Sequence, residues 1–176
     1  MSIKITLDSN LINIKQKLEP VNKLEELFER GIIQIVGTER LYEEMRKHIP
    51  KAFDKAKKYK NIGEPFVVGH SRIGHAYITS ENPTLPTFQE ISEILFSNIQ
   101  CDKLTENQIN DVMHLIAHAH SDSNFFVTNN TSDFIHGKKN NKNRNLELRN
   151  QTREKLKEKS IFVMTAQEMV EYLNNK

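Results

Sequence analysis

The sequence has little of what disulfide-stabilised, zinc-bound or membrane-spanning proteins need. Cys101 is the only cysteine among 176 residues, which excludes an internal disulfide and a cysteine-based zinc site. No apolar run approaches the about 18 residues that a membrane-spanning helix needs. Residues 1–10 lack a long apolar stretch and already contain Asp8, which is not typical of a secretory signal. We therefore expect no membrane association and a reducing, cytoplasmic compartment.

Positive charge is concentrated in two stretches, although the net charge of the chain is only +2. Residues 46–60 carry seven Lys or Arg and one Asp, and residues 136–160 carry nine Lys or Arg and three Glu. The rest of the chain is therefore acidic. A basic surface beside an acidic one suits a protein that attracts a polyanion and binds a cation, although Lys-rich helices are often only solvated.

Short apolar strands alternate with amphipathic helices along the chain. Strands are predicted at residues 3–7, 32–36, 66–68, 125–127 and 161–164. Helices are predicted before Gly31, after Thr38, at 88–99, after Thr105, near 145–159 and after Thr165. This alternation indicates an α/β fold in which helices flank a parallel central sheet. We expect a single domain over residues 1–176, with 61–104 as an insertion or elaboration within it.

Small oxygen-bearing side chains follow two of the predicted strands, at residues 8–10 and 128–133. Ligands of open parallel sheets bind outside the carboxyl ends of the strands, and the predicted helices add Glu44 and Asp111. Carboxylates that share a cleft repel each other unless a cation neutralises them, and hard oxygen ligands suit Mg²⁺ or Mn²⁺. Asp8, Asn130 and Asp133, each taken alone, are equally well explained as turn or cap residues. Glu44 and Asp111, each taken alone, are better explained as solvated helix residues. The metal-site hypothesis therefore requires the distant acids to come together.

Four segments, in this order, resemble the motifs of the PIN-domain family of nucleases. They are Ile5-Thr6-Leu7-Asp8-Ser9-Asn10, Thr38 followed by Glu44 and Met45, Asp111 followed by His114, and Phe126-Val127-Thr128-Asn129-Asn130 followed by Asp133 and Phe134. The resemblance covers residues 1–48 and 105–175, and it implies a three-layer α/β/α fold. The fourth motif departs from the family, because Asn130 stands where an Asp is usual and one extra residue precedes Asp133.

The resemblance implies a Mg²⁺- or Mn²⁺-dependent endoribonuclease, of the kind that forms the toxin of a toxin–antitoxin pair. The catalytic metal ligands implied are Asp8, Glu44, Asp111 and Asp133. The residues that would orient these ligands or the attacked phosphate are Ser9, Asn10, Thr128 and Asn130. The residues that would line the RNA groove are Lys138, Lys139, Lys142 and Arg144. The partners implied are RNA, an antitoxin protein and a second copy of the chain.

Two alternative functions are consistent with part of this interpretation. Asn130 in the fourth motif also suits a non-catalytic RNA-binding or regulatory module on the same scaffold. A magnesium-dependent phosphatase could instead use Asp8 as its nucleophile, although Asn10 stands where such enzymes usually have a second Asp.

Two further alternatives use histidine. Asp111, His114 and His118 share one face of a predicted helix, as zinc ligands could, but this face lies opposite the apolar stripe. The pattern therefore favours a solvent-exposed polar face over a zinc site. A Ser/His hydrolase around His70, Ser71 and His75 is not favoured, because the flanking residues do not form a nucleophile elbow.

Overall fold

The computed structural model describes residues 2–12, 18–71, 76–77, 84–130, 134 and 146–176. In chain order its elements are β1 (Ile3–Leu7), α1 (Ser9–Ile12), α2 (Glu19–Glu29), β2 (Ile33–Thr38), α3 (Glu39–His48), α4 (Pro50–Ala56), β3 (Lys60–Ile62), β4 (Glu64–Pro65), β5 (Ala76–Tyr77), α5 (Phe88–Phe96), a 3-10 turn (Cys101–Lys103), α6 (Glu106–Ala119), β6 (Phe125–Val127), α7 (Leu146–Glu158), β7 (Val163–Met164) and α8 (Ala166–Asn174).

Five strands form one parallel sheet in the order β3-β2-β1-β6-β7, while β4 and β5 form a separate parallel pair. The central strand β1 pairs with β2 on one side and with β6 on the other. The strand order therefore reverses at β1. In such sheets the crevice outside the carboxyl ends of the strands, at the reversal, is where ligands bind.

Helices cover both faces of the sheet, which confirms the predicted α/β/α layering. On one face α2, α3, α4 and α8 pack over strand residues that include Ile5 and Val127. On the other face α5, α6 and α7 pack over Phe126 and Val163. Successive side chains of a strand point to opposite faces, so the neighbours Phe126 and Val127 belong to different cores. None of the described helices is both long and apolar enough to span a membrane.

Local sequence signals account for several helix ends. Gly31 follows α2 with a positive φ of 72°, a conformation that glycine adopts without steric cost. Pro50 separates α3 from α4 and occupies the first position of α4, where its missing N–H is not needed. Thr105 and Thr165 both form complete capping boxes, at α6 and α8.

The strand predicted at residues 66–68 is wrong. The strand β4 ends at Pro65, and the following residues turn back on themselves, with the N–H groups of His70 and Ser71 both bonded to the carbonyl of Val67. The side chains of Phe66 and Val68 are exposed. Three apolar residues in a row mimic a strand in the sequence, but here the backbone hydrogen bonds close a turn.

Candidate active site

Asp8 lies at the reversal of the sheet, directly after β1, and is 3% exposed. Its Oδ2 accepts hydrogen bonds from the Thr128 hydroxyl at 2.5 Å and from the Asn10 side-chain amide at 2.7 Å. Thr128 follows β6, so the parallel pairing of β1 with β6 aligns the two residues. Burial raises the pKa of Asp8, although His114 and the bond from Thr128 act in the opposite direction.

The residues that were predicted to orient the ligands surround Asp8. Asn10 also donates to Thr128 Oγ1 at 3.1 Å, and the backbone N–H of Asn130 donates to the same oxygen at 2.9 Å. The Ser9 hydroxyl lies 3.4 Å from Asp8 Oδ1. The ends of β1 and β6 are therefore joined by one hydrogen-bonded cluster of side chains, which fixes the carboxylate of Asp8.

Glu44 approaches from α3, which begins directly after β2 with Thr38 as its N-cap. Glu44 Oε1 accepts a 3.1 Å hydrogen bond from the Asn110 side chain of α6 and lies 3.8 Å from His114 Nε2. Partial burial would raise the pKa of Glu44, but His114 and hydrogen bonds from Ser9 and Asn110 lower it to about 2. Glu44 is therefore ionised at neutral pH.

His114 is buried next to these acids and is 1% exposed. Its Nδ1 shares a 2.5 Å hydrogen bond with the Thr38 hydroxyl, while its buried Nε2 has no hydrogen-bond partner among the described residues. Burial alone would lower the pKa of His114, but the carboxylates of Glu44, Asp8 and Asp111 raise it. A ring nitrogen with unused hydrogen-bonding capacity therefore faces the acids.

Asp8, Glu44 and Asp111 line one cleft of about 900 Å³. They come from three elements, the end of β1, the middle of α3 and the second turn of α6. Asn130, from the fourth motif, lines the same cleft. Asp133, which was predicted to supply a further carboxylate, lies outside the described residues. Acids separated by up to 103 positions in the sequence therefore line one cleft.

Positive charge borders the cleft at the carboxyl end of α3. Arg46, Lys47 and His48 all line it and are exposed. The guanidinium of Arg46 also lies 5.1 Å from the centre of the Phe53 ring, a distance at which a cation is attracted to the face of an aromatic ring. We call these three residues the basic rim. The basic residues predicted to line an RNA groove, Lys138, Lys139, Lys142 and Arg144, lie outside the described residues.

The solvent-exposed polar face predicted for α6 is wrong. His114 and His118 are 1% and 2% exposed, because α6 has α5 on its apolar side and the sheet on the other. His118 bonds Thr6 of β1 at 2.8 Å and packs edge-on against Phe126, whereas His114 bonds Thr38 at the end of β2. The two rings are thus directed to different strands, which does not favour a shared zinc ion.

Ser71 has no catalytic partner among the described residues. Its hydroxyl accepts from the Val67 N–H at 2.7 Å and donates to the Pro65 carbonyl at 3.1 Å. The adjacent His70 ring stacks on Phe88, with ring centres 4.1 Å apart. Both hydroxyl bonds stabilise the turn after β4, so the geometry of the described residues does not favour a Ser/His hydrolase; His75 lies outside the described residues.

Comparisons of the chain with protein-family models, with curated proteins and with solved structures found no match. The likeness to PIN-domain nucleases therefore remains an interpretation of four sequence motifs. Any function assigned to the chain has to follow from the chemistry of the cleft.

Proposed function

We propose that the chain is a Mg²⁺- or Mn²⁺-dependent ribonuclease that hydrolyses RNA phosphodiester bonds in this cleft. The observation that carries the proposal is the meeting of Asp8, Glu44 and Asp111 on one surface, at the reversal of a parallel sheet. Carboxylates that share a cleft repel one another. A divalent cation bound in the cleft would relieve this repulsion.

The donor atoms suit a hard cation. Among the described residues no three His, Cys, Asp or Glu side chains are arranged as a complete metal-ligand cluster. Mg²⁺ does not need one, because it keeps several waters and usually takes only one or two protein carboxylates. The carboxylates of Asp8, Glu44 and Asp111 would hold the ion, directly or through water. Such an ion activates a water molecule and stabilises the charge that develops on a phosphodiester.

The chain's own residues prepare the acids for this task. Thr128 and Asn10 donate to Asp8 and so favour its ionised form, against the effect of burial. Asn110 donates to Glu44, whose pKa is about 2. Hydrogen-bond donors therefore hold both acids in fixed directions, with His114 beside Glu44 as well, and no side-chain nucleophile is needed when water is the attacking group.

The charge around the cleft suits a polyanion. The basic rim of Arg46, Lys47 and His48 adjoins the acids on the same surface, so a phosphate backbone bound along the rim would bring a neighbouring phosphate to the carboxylates. Positive grooves of this kind bind single-stranded nucleic acid through its backbone, with little sequence preference. We therefore propose single-stranded RNA as the substrate; the antitoxin and the homodimer stay predictions of the motif likeness.

A non-catalytic RNA-binding module is the second candidate. It is favoured by Asn130, which lines the cleft where an Asp would add a further charge. This candidate predicts RNA binding that weakens with salt but no strand cleavage, with or without metal. Rapid metal-dependent turnover would exclude it.

The decisive experiment incubates the protein with single-stranded RNA in Mg²⁺, Mn²⁺ or EDTA. We expect cleavage with either metal and none in EDTA. Asp8→Asn and Asp111→Asn should each lower the rate by more than about 100-fold, because even the outer partners of metal ligands are worth about 10–100-fold. Asp102→Asn, an exposed acid in the 3-10 turn that does not line the cleft, is the matched control.

Three results would contradict the proposal. They are cleavage that persists in EDTA, cleavage that is unchanged in Asp8→Asn and Asp111→Asn, and equal losses in Asp102→Asn. Trapping of a phospho-enzyme at Asp8 with a small phosphate ester would instead support the phosphatase alternative.

A further inference from the structure

Arg40 forms a buried hydrogen-bonded network that leads to Glu44. Its Nε donates to Glu64 of β4 at 2.8 Å, and the two side chains are only 5% and 1% exposed. One terminal nitrogen donates to Asn110 Oδ1 at 3.0 Å, and the other donates to the backbone carbonyl of His70. All three nitrogens of the guanidinium are therefore engaged, and the Arg40 side chain is held by Glu64, Asn110 and the His70 carbonyl.

Stability alone does not account for this network. A buried ion pair is costly to desolvate, and its replacement by apolar residues of similar size is often neutral or stabilising. Arg40 is nevertheless placed in the first turn of α3, one turn before Glu44 on the same helix. The Arg40–Glu64 pair therefore calls for a second explanation.

The hydrogen-bonding capacities of Arg40 and Asn110 provide this second explanation. A guanidinium has only donors, so the Asn110 atom that faces Arg40 must be the amide oxygen. The amide NH₂ then has to point the other way, where Nδ2 donates to Glu44 Oε1 at 3.1 Å. Arg40 thus selects one of the two orientations of Asn110, and in that orientation Asn110 presents a donor to Glu44.

We propose that Arg40 and Asn110 are positioning residues for the carboxylate of Glu44, and that Glu64 fixes Arg40 for this purpose. This inference rests on the proposed function, because it assigns Glu44 to the reaction. It also gives a role to residues 64–70, which the sequence motifs do not cover. Glu64 and the carbonyl of His70 anchor the Arg40 side chain and so connect β4 and the following turn to the cleft.

The test uses two changes and one matched control. Asn110→Leu keeps the size of the side chain and removes the donor to Glu44. The double variant Arg40→Met/Glu64→Met replaces the buried pair by apolar groups and leaves Asn110 without its orienting partner. Asn22→Leu is the control, since Asn22 is an exposed residue of α2 that does not line the cleft.

Each variant is measured for kcat and KM on single-stranded RNA, for the apparent Mn²⁺ dissociation constant by thermal shift, and for Tm without metal. We expect kcat to fall about 10-fold and Mn²⁺ binding to weaken by a similar factor in both test variants, with KM changed less than about threefold. The same substitution at Asn22 should change kcat less than about twofold. A residue with only a structural role would lower kcat and Tm together and would leave the Mn²⁺ constant of the folded protein unchanged.

The outcomes separate this inference from the proposed function. Unchanged kcat and Mn²⁺ affinity in both test variants, in a wild-type protein that cleaves RNA, would overturn the positioning network alone. A wild-type protein that binds Mn²⁺ but does not cleave RNA would overturn the ribonuclease, while weaker Mn²⁺ binding in the test variants would still support the network. A wild-type protein that neither binds Mn²⁺ nor cleaves RNA would overturn both.

Discussion

The hydroxyl of Thr128 donates a 2.5 Å hydrogen bond to the carboxylate of Asp8, across 120 positions of sequence. The bond joins the ends of the two neighbouring strands β1 and β6 at the reversal of the sheet. Burial of Asp8 favours its protonated form, whereas this hydrogen bond favours the charged form. Thr128 therefore helps to keep a buried carboxylate in the state that can bind a cation.

Thr128→Val should show what this hydroxyl contributes. The substitution keeps the shape of the side chain, but it takes one donor from the buried carboxylate and the shared acceptor from Asn10 and the Asn130 N–H. We therefore expect the free energy of unfolding at pH 7 to fall by about 1–3 kcal/mol. Thr128→Ser keeps the hydroxyl and should recover most of the loss. The measurement is urea unfolding of the three proteins, repeated at pH 4, where the loss should shrink because protonated Asp8 gains less from the bond. Equal losses in the Val and Ser variants would contradict this account.

Metal binding should reverse the order of stability between the wild-type protein and Asp8→Asn. Without metal, the neutral amide avoids the cost of a buried charge, so the variant should be the more stable protein at pH 7. With Mn²⁺ at 100 times its dissociation constant, the wild-type protein should gain about 2.7 kcal/mol, and the variant should gain much less. Thermal unfolding with and without Mn²⁺ tests both statements. An identical Mn²⁺ effect on the two proteins would show that Asp8 does not bind the ion.

The sequence predicts the parts of this fold that depend on local patterns. Alternating apolar residues predict β1, and the boxes at Thr105 and Thr165 mark the starts of α6 and α8. These signals lie within a few residues of one another in the chain. The nuclease-like motifs also point to Asp8, Glu44 and Asp111, which line one cleft in the structure; their role as metal ligands stays a prediction.

The features that the sequence did not reveal depend on tertiary contacts. His118 appears on the polar side of α6 in the sequence, but a strand threonine, Thr6, supplies a hydrogen bond that lets the ring be buried. The Arg40–Glu64 pair joins two surface-type residues 24 positions apart, and no local periodicity selects it. Helical periodicity identifies the apolar face of a helix, but it does not show whether the opposite face meets water or a row of hydroxyl groups.

The basic rim should control RNA affinity more than the rate of cleavage. Each lysine or arginine that neutralises a phosphate of a single strand adds about 0.7 to the slope of log K against log salt. The double variant Arg46→Ala/Lys47→Ala should therefore bind RNA more weakly and lower this slope by about 1.4, while kcat at saturating RNA changes little. Binding is measured in EDTA, so that the RNA stays intact.

Lys58→Ala is the matched control for the rim. Lys58 belongs to the same basic stretch, but it pairs with Glu29 and does not line the cleft. Removal of the Lys58 side chain should leave the slope of log K against log salt almost unchanged. A slope that falls equally in this control would mean that the whole basic stretch attracts RNA, without a defined path to the acids.

His118 should make the protein less stable as the pH falls below neutral. Burial lowers the pKa of His118 to about 3 from the usual 6.5. Between these values the unfolded chain binds one more proton at this residue than the folded protein does, so the free energy of unfolding decreases as the pH decreases. For this residue alone we expect a loss of about 2 kcal/mol between pH 7 and pH 5.

The double variant Thr6→Val/His118→Leu isolates this effect. It removes both partners of the buried hydrogen bond together, so no polar group is left unsatisfied, and a change of this kind can be nearly neutral. Urea unfolding at intervals from pH 7 to pH 5 gives the dependence of stability on pH for the variant and the wild-type protein. The other titratable histidines are common to both proteins, so the difference in slope reports the proton taken up by His118 on unfolding. If the two slopes are equal, the His118 ring already carries its proton in the folded protein, and its bond to Thr6 must then be one in which Nδ1 is the donor.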